Sequence, residues 1–328
     1  MYVALVTAVA ALAAGLAACG SGGSDGDDTA DAGAANTPVV SRREDFPRPS
    51  GRSFRDLIGT MRQGPALAPS VEDLQPGDNR FGFGLFDRGS RQIGGLEVAL
   101  YVSRGTDETA HGPYAARYEP IQVQGRYRSR TTAEDPDSAQ SVYVARLPFR
   151  SAGPYLVSAV VKLGQDQVAT SPAQVRVTDN SSVPSVGDKA IHVHTPTLAS
   201  VAGDAQKIDT RIPPDSMHGV DLADALDRHR PVILLFATPA LCKSRVCGPV
   251  TDIAEEVKAE YGDRADFIHM EIYNENDPNK GLRPQVRAWG LKTEPFLFAI
   301  DRRGRIVDRL DGAFSVAELE AAVHKALR

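Results

Sequence analysis

Two cysteines in the last third of the chain are the residues best suited to chemistry. Cys242 and Cys247 follow an apolar run at 232–236 and precede a segment of helical periodicity. A thiolate attacks disulfides, and a second thiol nearby displaces the bound partner. Residues five apart on a regular helix point about 140° away from each other, because each residue turns ~100°. We therefore expect Cys242 in a loop and Cys247 in the first helical turn.

The neighbours of Cys242 favour a reactive thiolate. A helix N-terminus and adjacent cations both lower a thiol pKa, and Lys243 and Arg245 flank this position. Cys242 is thus predicted to be the nucleophile and Cys247 the resolving thiol. A structural disulfide is the alternative, but a bridge over so short a loop gains only ~2 kcal/mol, against ~4–5 for a long loop.

Helices and strands alternate around this pair. The order predicted from periodicity is helix, strand, helix, strand, helix, strand, strand, helix. A fully apolar strand at 231–236 should be central, and Ser315 with Glu318 forms a capping box for the last helix. The remaining elements are expected at 220–227, 250–261, 267–273, 282–289, 296–300 and 305–310.

This order, with a cysteine pair after the first central strand, resembles the thioredoxin fold over about residues 216–328. Glu294-Pro295-Phe296 lies where the family has its cis-proline, so the resemblance implies a cis Pro295 that faces the cysteines and shapes the substrate groove. Glu294 beside it would either raise the thiol pKa or accept a proton. The stretch 298–306 is similar to membrane-tethered thiol-disulfide oxidoreductases and peroxiredoxins.

Two departures from thioredoxin bear on activity. The cysteines are five apart instead of three, and the preceding strand lacks the family's buried Asp. Thr238-Pro239-Ala240-Leu241-Cys242 also resembles peroxiredoxins of the bacterioferritin-comigratory type, with one extra residue between Thr and Cys. A peroxide reductase is therefore one alternative to a thiol-disulfide oxidoreductase.

Copper delivery is another alternative. Copper chaperones of the cytochrome-oxidase assembly type combine a similar fold with a cysteine pair and a distant His, and Cu(I) favours thiolate and imidazole. His269 and Met270 are the candidate metal ligands. A non-enzymatic binding module is the remaining alternative. No nucleotide, flavin or haem motif is apparent, so the disulfide itself is expected to serve as the redox group without a cofactor.

A different pattern fills residues 67–182. Short period-two runs at 80–86, 96–102, 141–149, 154–163 and 173–177 are separated by Gly, Asp and Pro clusters. They predict an all-β sandwich, and Gly153-Pro154-Tyr155 resembles immunoglobulin-like domains of exported bacterial proteins. The segment 180–188, rich in Ser, Pro and Gly, is predicted to be a hinge to the last domain, 183–328.

The first residues indicate export. Residues 1–18 are small and apolar like a signal peptide, and Leu16-Ala17-Ala18-Cys19 resembles the bacterial lipobox, in which the cysteine is lipidated. An uncleaved N-terminal anchor is the alternative. Residues 19–66 are predicted to be a flexible tether with one short helix. Both readings place the chain outside the cytoplasm and against a membrane, where exported thiols or disulfides would be its partners.

Composition excludes one class of partner. The net charge is −5, and Lys and Arg are spread along the chain without a basic cluster. Nucleic-acid binding is therefore not expected.

Overall fold

The computed structural model describes residues 37–328. The predicted signal peptide 1–18, the lipidation residue Cys19 and the tether as far as residue 36 lie outside the described residues.

Short antiparallel strands make up residues 39–177. They are β1 (Val39–Val40), β2 (Ala66–Pro69), β3 (Gly77–Phe86), β4 (Gln92–Ile93), β5 (Val98–Ser103), β6 (His111–Ala115), β7 (Arg117–Pro120), β8 (Ser141–Phe149), β9 (Gly153–Leu163), β10 (Asp166–Ala169) and β11 (Ala173–Val177). Helices α1 (Phe54–Ile58) and α2 (Arg130–Ala133) lie between them. One sheet has the order β1-β7-β8-β3-β2 with β4 on β3, and the other β10-β9-β5-β6 with β11 on β9.

The two sheets enclose one apolar core. Phe81, Phe83 and Leu85 recur at every second position of β3, so they share one face of the strand, and all are fully buried. They form a single cluster with Leu100 of β5 and Val157 of β9, which belong to the opposite sheet. The predicted alternation therefore places the core between the sheets.

The rest of the chain is mixed α/β. Its elements are α3 (Leu222–Asp227), β12 (Val232–Phe236), α4 (Cys247–Tyr261), β13 (Asp266–Met270), α5 (Pro284–Ala288), β14 (Phe296–Ile300), β15 (Ile306–Asp311) and α6 (Val316–Ala326). The sheet order is β13-β12-β14-β15. β12 runs parallel to β13 and antiparallel to β14, and β14 pairs antiparallel with β15.

Strand β12 is covered on both faces, which explains its uninterrupted apolar sequence. Ile233 and Leu235 belong to the cluster that contains α4 and α6, whereas Leu234 and Phe236 pack with Trp289 in another cluster. At the far end of the domain, the hydroxyl of Ser315 accepts a hydrogen bond from the Glu318 backbone N–H at 3.2 Å, as predicted for the helix start. The Glu318 carboxylate binds Arg80 of β3 instead of completing a capping box.

The two halves share buried contacts. Val142 and Val144 of β8 belong to the same apolar cluster as Leu297 and Phe314 of the α/β half. The buried Arg80 and Glu318 side chains pair across the boundary at 2.7 Å. The described chain, 37–328, therefore packs as one unit.

Two predicted boundaries are wrong within the described residues. Residues 37–66, predicted to be tether apart from a short helix, contain β1, which pairs with β7, and the buried side chains of Phe46 and Leu57. The segment 180–188, predicted to be a hinge, packs Val183 into the α/β core, and the Gly187 N–H donates to Ile306 O at 2.8 Å. Both segments are anchored to the core by buried apolar side chains. These side chains are too far apart in sequence to show a helical or strand period.

Within residues 37–328, no helix combines the length and the apolar composition needed to cross a bilayer.

Candidate functional site

The cysteine pair lies where β12 gives way to α4. Cys242 is in the connecting loop, and its backbone N–H donates to Thr238 O at 3.1 Å. Cys247 is the first residue of α4, after Val246 at the N-cap. Arg245 adopts a left-handed conformation with φ of 60°, which turns the chain into the helix. The predicted division between loop and first helical turn is confirmed.

Cys242 has an environment that stabilises a thiolate. A hydrogen bond from the Cys247 side chain is the main cause that lowers the pKa of Cys242, to about 6. Burial opposes this shift, while Ser244 and the backbone N–H groups of Val246 and Cys247 add to it. The Ser244 hydroxyl lies 3.2 Å from the Cys242 sulfur. N–H groups at a helix start favour negative charge, so Cys242 is the member of the pair that ionises more readily.

Cys247 has the opposite environment. Its side chain is completely buried, and burial raises its pKa well above that of a free thiol. The adjacent Cys242 and the Glu294 charge raise it further. Cys247 therefore holds its proton and can donate a hydrogen bond to the Cys242 thiolate. The two cysteines are not joined by a disulfide.

Glu294 and Pro295 precede β14. The Glu294-Pro295 bond is cis, as the resemblance predicted, and Pro295 is buried. Burial, followed by the charge of Cys242, raises the pKa of Glu294 to about 7. Glu294 raises the pKa of the buried Cys247, whereas the leading causes of the shifted Cys242 pKa are hydrogen bonds and burial. A carboxylate with a pKa of about 7 can take up a proton near neutral pH.

The two predicted cationic neighbours face other groups. The Arg245 guanidinium lies 3.1 Å from the carboxylate of Asp135, and the charge of Lys243 lowers the pKa of Glu294. Neither is a leading cause of the lowered pKa of Cys242, which comes from hydrogen bonds. The sequence-based prediction overstated the effect of Lys243 and Arg245 on the Cys242 pKa, because both side chains are exposed and the solvent screens their charges.

A cleft of about 560 Å³ opens beside Cys242. The loop around α2, residues 130–138, lines one side of it, and residues 239–249 line the other. Cys242 itself is 8% exposed. The β-rich half therefore supplies one wall of the cleft that leads to the reactive thiol.

Buried polar contacts fix that wall in place. Asp252 of α4 accepts from the Ser129 N–H at 3.0 Å through one carboxylate oxygen and from Arg211 Nε at 2.9 Å through the other. The Arg211 guanidinium also donates to Tyr127 O at 2.7 Å. These bonds hold the 127–132 segment against the helix that begins with Cys247.

The two candidate metal ligands do not share a site. His269 lies 2.7 Å from the carboxylate of Asp215, whereas Met270 packs in the apolar cluster with Phe236. Consecutive residues of a strand point to opposite faces, so the two side chains of β13 diverge. The copper-ligand candidates His269 and Met270 therefore do not face one shared site.

Sequence patterns did not identify several residues of the site. Ser244 contacts the reactive sulfur, Asp135 binds Arg245 in the cleft, and Tyr273 has a pKa raised by burial and then by the charges of Glu294 and Cys242. Ser244 lies between the cysteines and could have been found by its position. Asp135 lies in the other half and gives no local signal.

No protein-family model matches the sequence, and no curated protein matches it. Solved structures of thioredoxin-family proteins are similar to part of the chain. A "putative Thiol:disulfide interchange protein DsbE" from Chlorobium tepidum is 20% identical, with a TM-score of 0.29 over 44% of this chain and 99% of its own. A thioredoxin-family thiol:disulfide interchange protein from Chlorobium tepidum TLS is 17% identical, with a TM-score of 0.29 over 44% of this chain and 100% of its own. At these values the likeness alone assigns no function to this chain.

Proposed function

We propose that the chain is a thiol-disulfide oxidoreductase whose α/β half is a thioredoxin-like domain and whose β-rich half is an immunoglobulin-like sandwich. One observation carries the function: Cys242, in the loop before α4, receives hydrogen bonds that lower its pKa to about 6, whereas Cys247, the first residue of α4, is fully buried and has a raised pKa. A structural disulfide needs no such difference. An attacking thiolate paired with a protonated resolving thiol does.

The exchange proceeds in two displacements. The Cys242 thiolate attacks one sulfur of a partner disulfide, the partner S–S bond breaks, and the departing thiolate takes a proton from water. Cys247 then passes its proton to the Glu294 carboxylate and attacks the Cys242 sulfur. The bond between Cys242 and the partner breaks, and the second partner sulfur leaves. The partner disulfide has been reduced and the Cys242–Cys247 pair oxidised, and a dithiol partner reverses the same steps.

The cleft suits a protein substrate. It is bounded by polar and charged side chains from both halves, including Arg130, Asp135 and Arg245. A polypeptide that presents a disulfide can lie across such a surface, and the cis Pro295 would shape the groove that receives it. No bound cofactor is needed, because the cysteine pair itself carries the two electrons.

The site of action is outside the cytoplasm. We propose that residues 1–18 direct export, that Cys19 is lipidated, and that the partners are exported proteins. Replacement of Cys19 by Ser should release the chain from the membrane fraction of cells and remove the lipid mass from its N-terminal peptide. Membrane association that survives Cys19→Ser would contradict lipidation and favour the uncleaved anchor.

Mixed-disulfide trapping tests the exchange reaction. With Cys19→Ser as background, Cys247→Ala should accumulate a one-to-one adduct with oxidised glutathione on Cys242, seen by intact mass, because nothing resolves it. The matched Cys242→Ala variant should form little adduct, since Cys247 is buried and protonated. Equal adduct formation by both variants would refute the assigned roles. Rapid consumption of hydrogen peroxide by the unmodified pair would favour the peroxidase alternative.

A further inference from the structure

Four ionisable side chains meet inside the α/β half, away from the cleft. Asp209, Asp215 and His218 come from the segment that precedes α3, and His269 comes from β13. All four are at least nine-tenths buried, with exposed fractions between 1% and 6%. One potential metal-binding atom from each residue lies within 4.8 Å of the corresponding atoms of the other three. The reaction proposed above uses none of them.

The spacing of these atoms is near that of a four-coordinate metal site. His218 Nε2 lies 3.2 Å from Asp209 Oδ2 and 3.5 Å from Asp215 Oδ1. His269 Nδ1 lies 2.7 Å from Asp215 Oδ2 and 4.0 Å from Asp209 Oδ1. Ligands placed tetrahedrally around zinc at 2.0–2.1 Å are roughly 3.3 Å apart. One ion takes one oxygen from each carboxylate, and the 4.8 Å limit on the four ligand atoms means that the side chains close in around a bound ion.

Hydrogen bonds already orient three of the four residues. His269 Nε2 lies 3.2 Å from Ala237 O, a carbonyl that only accepts, so Nε2 carries a proton. Nδ1 lies 2.7 Å from Asp215 Oδ2 and is the nitrogen that can exchange its proton for an ion. Asp209 accepts from the Arg211 and Asp215 N–H groups at 2.7 Å each, and Asp215 accepts from the Met217 N–H at 2.8 Å. Metal-binding His and carboxylate groups are typically held by such outer hydrogen bonds.

His218 supplies an independent indication. Its side chain is 1% exposed, and among residues 37–328 neither ring nitrogen has a hydrogen-bond partner. The 3.2 Å approach of Nε2 to Asp209 is short, but its direction is not that of a hydrogen bond. A buried polar group without a partner costs ~1–3 kcal/mol. A cation between the rings and the carboxylates would remove that cost.

We propose that Asp209, Asp215, His218 and His269 bind a divalent transition-metal ion of the zinc class. Two carboxylates and two neutral imidazoles balance the charge of such an ion, which a buried site requires. Four protein ligands leave no open position, so the ion is structural. It fastens the 209–218 segment to β13 and, through Ala237, to the end of β12 from which the cysteine loop departs.

A proton is the competing occupant. In the absence of an ion, burial lowers the pKa of His269, but the Asp215 carboxylate outweighs it and raises that pKa to about 10. The cluster would then be an imidazolium–carboxylate pair, with His218 left without a partner. The two possibilities are distinguished by whether the folded chain binds one metal ion.

Metal binding is measured directly on the full chain with all three cysteines replaced by Ser, so that thiols cannot serve as ligands. After removal of metals with a chelator, calorimetric titration with Zn²⁺ should give one ion per chain. Co²⁺ should give the visible bands of a four-coordinate site with nitrogen and oxygen ligands and no sulfur-to-cobalt band. His218→Gln and Asp209→Asn should weaken Zn²⁺ binding by at least about 100-fold, since changes in outer contacts alone cost 10–100-fold.

His194→Asn is the matched control, because His194 lies in an exposed His-Asp-Asp cluster that could also attract metal. It should leave the affinity unchanged. Circular dichroism checks that each variant is folded, and if the buried variants do not fold, the Co²⁺ spectrum of the chain with His218 and Asp209 intact decides. The proposal is overturned if this folded chain takes up no stoichiometric Zn²⁺, or if only His194→Asn abolishes uptake. If the metal proposal is refuted, the roles assigned to the two thiols are unaffected.

Discussion

The two cysteines belong to the same turn of chain but experience different surroundings. Cys242 receives hydrogen bonds from a thiol, a hydroxyl and backbone N–H groups, and each favours its charged form. Cys247 is enclosed by apolar side chains and next to two negative charges, which favour its neutral form. A pKa of about 6 makes Cys242 roughly nine-tenths thiolate at neutral pH. This difference is the basis of the roles assigned to the pair.

The pH dependence of Cys242 follows from the lowered pKa. The rate of alkylation of Cys242 by iodoacetamide should rise through about pH 6 and level off by neutral pH, because only the thiolate reacts. Cys247→Ala removes the strongest stabilising hydrogen bond and should move the midpoint upward, whereas Ser244→Ala should move it less. Both are measured by mass spectrometry against pH in a Cys19→Ser background. A midpoint near 9, the value of an ordinary thiol, would contradict the assignment.

Glu294 should control the second displacement. Its pKa of about 7 in the reduced protein suits a group that takes a proton near neutral pH. Replacing it by Gln should slow release of the second partner thiol by about 100-fold, since general-base assistance contributes 10²–10⁴. Stopped-flow measurement of that step should show a rate that rises as Glu294 ionises, with a midpoint below pH 7, because Cys242 in the mixed disulfide no longer carries the charge that raises the pKa of Glu294. Glu294→Gln should lose this rise. Alkylation of Cys242 should persist in the variant, and an unchanged release step would exclude the proton transfer.

At the scale of elements, the site depends on the start of α4 and on what is fastened to it. Asp252, one turn beyond Cys247, is 1% exposed and binds both Ser129 and Arg211. The helix is therefore tied to the β-rich half and to the segment before α3. These contacts set the position of the cleft wall relative to Cys242.

Removing Asp252 should be strongly destabilising. Asp252→Ala leaves the Arg211 guanidinium buried beside no carboxylate, and breaking a buried ion pair in this way costs about 3–5 kcal/mol. The control is Asp166→Ala, which breaks the exposed pair with Arg62 and should cost less than about 1 kcal/mol. Urea unfolding gives both values. A cost for Asp252→Ala as small as that of the control would show that the helix is not held by this contact.

The sequence predicted those helices and strands whose apolar residues recur with a clear local pattern. Strands β8, β11 and β14 have the predicted bounds, because alternating or continuous apolar residues mark a strand locally. The short strands β1, β4 and β10 gave no such signal, since two to four residues are too few to define a period. They exist because neighbouring strands offer backbone partners.

The candidate site divides in the same way. The cysteines and the cis Pro295 were predictable from local order and family resemblance. The contacts of Asp135 with Arg245, of Ser129 with Asp252 and among the buried His and Asp residues join positions far apart in sequence. No local pattern encodes such pairs, because they arise only when distant segments of the chain pack together.

At the scale of the molecule, the two halves share a core and buried ion pairs. Val144 lies in one cluster with Leu297, and Arg80 pairs with Glu318 across the boundary. The β-rich half thus belongs to the candidate site, because it forms one side of the cleft beside Cys242. Its packing against α4 and α6 links the stability of both halves.

Unfolding should therefore be a single transition. Trp289, the only tryptophan in the sequence, is fully buried in the α/β half and reports on that half alone. Far-ultraviolet circular dichroism reports on both halves. Urea curves from the two signals should coincide, as expected for one cooperative unit. A separate transition seen by circular dichroism alone would show that the halves fold independently.

The redox potential of the Cys242–Cys247 pair tests the central claim most directly. The full chain with Cys19→Ser is equilibrated in glutathione buffers, its free thiols are trapped, and the intact mass gives the oxidised fraction. An exchange-active pair with a stabilised thiolate should have a potential between about −120 and −270 mV. A potential below about −300 mV, typical of structural disulfides, would contradict the account, as would a pair that forms no disulfide in any oxidising buffer.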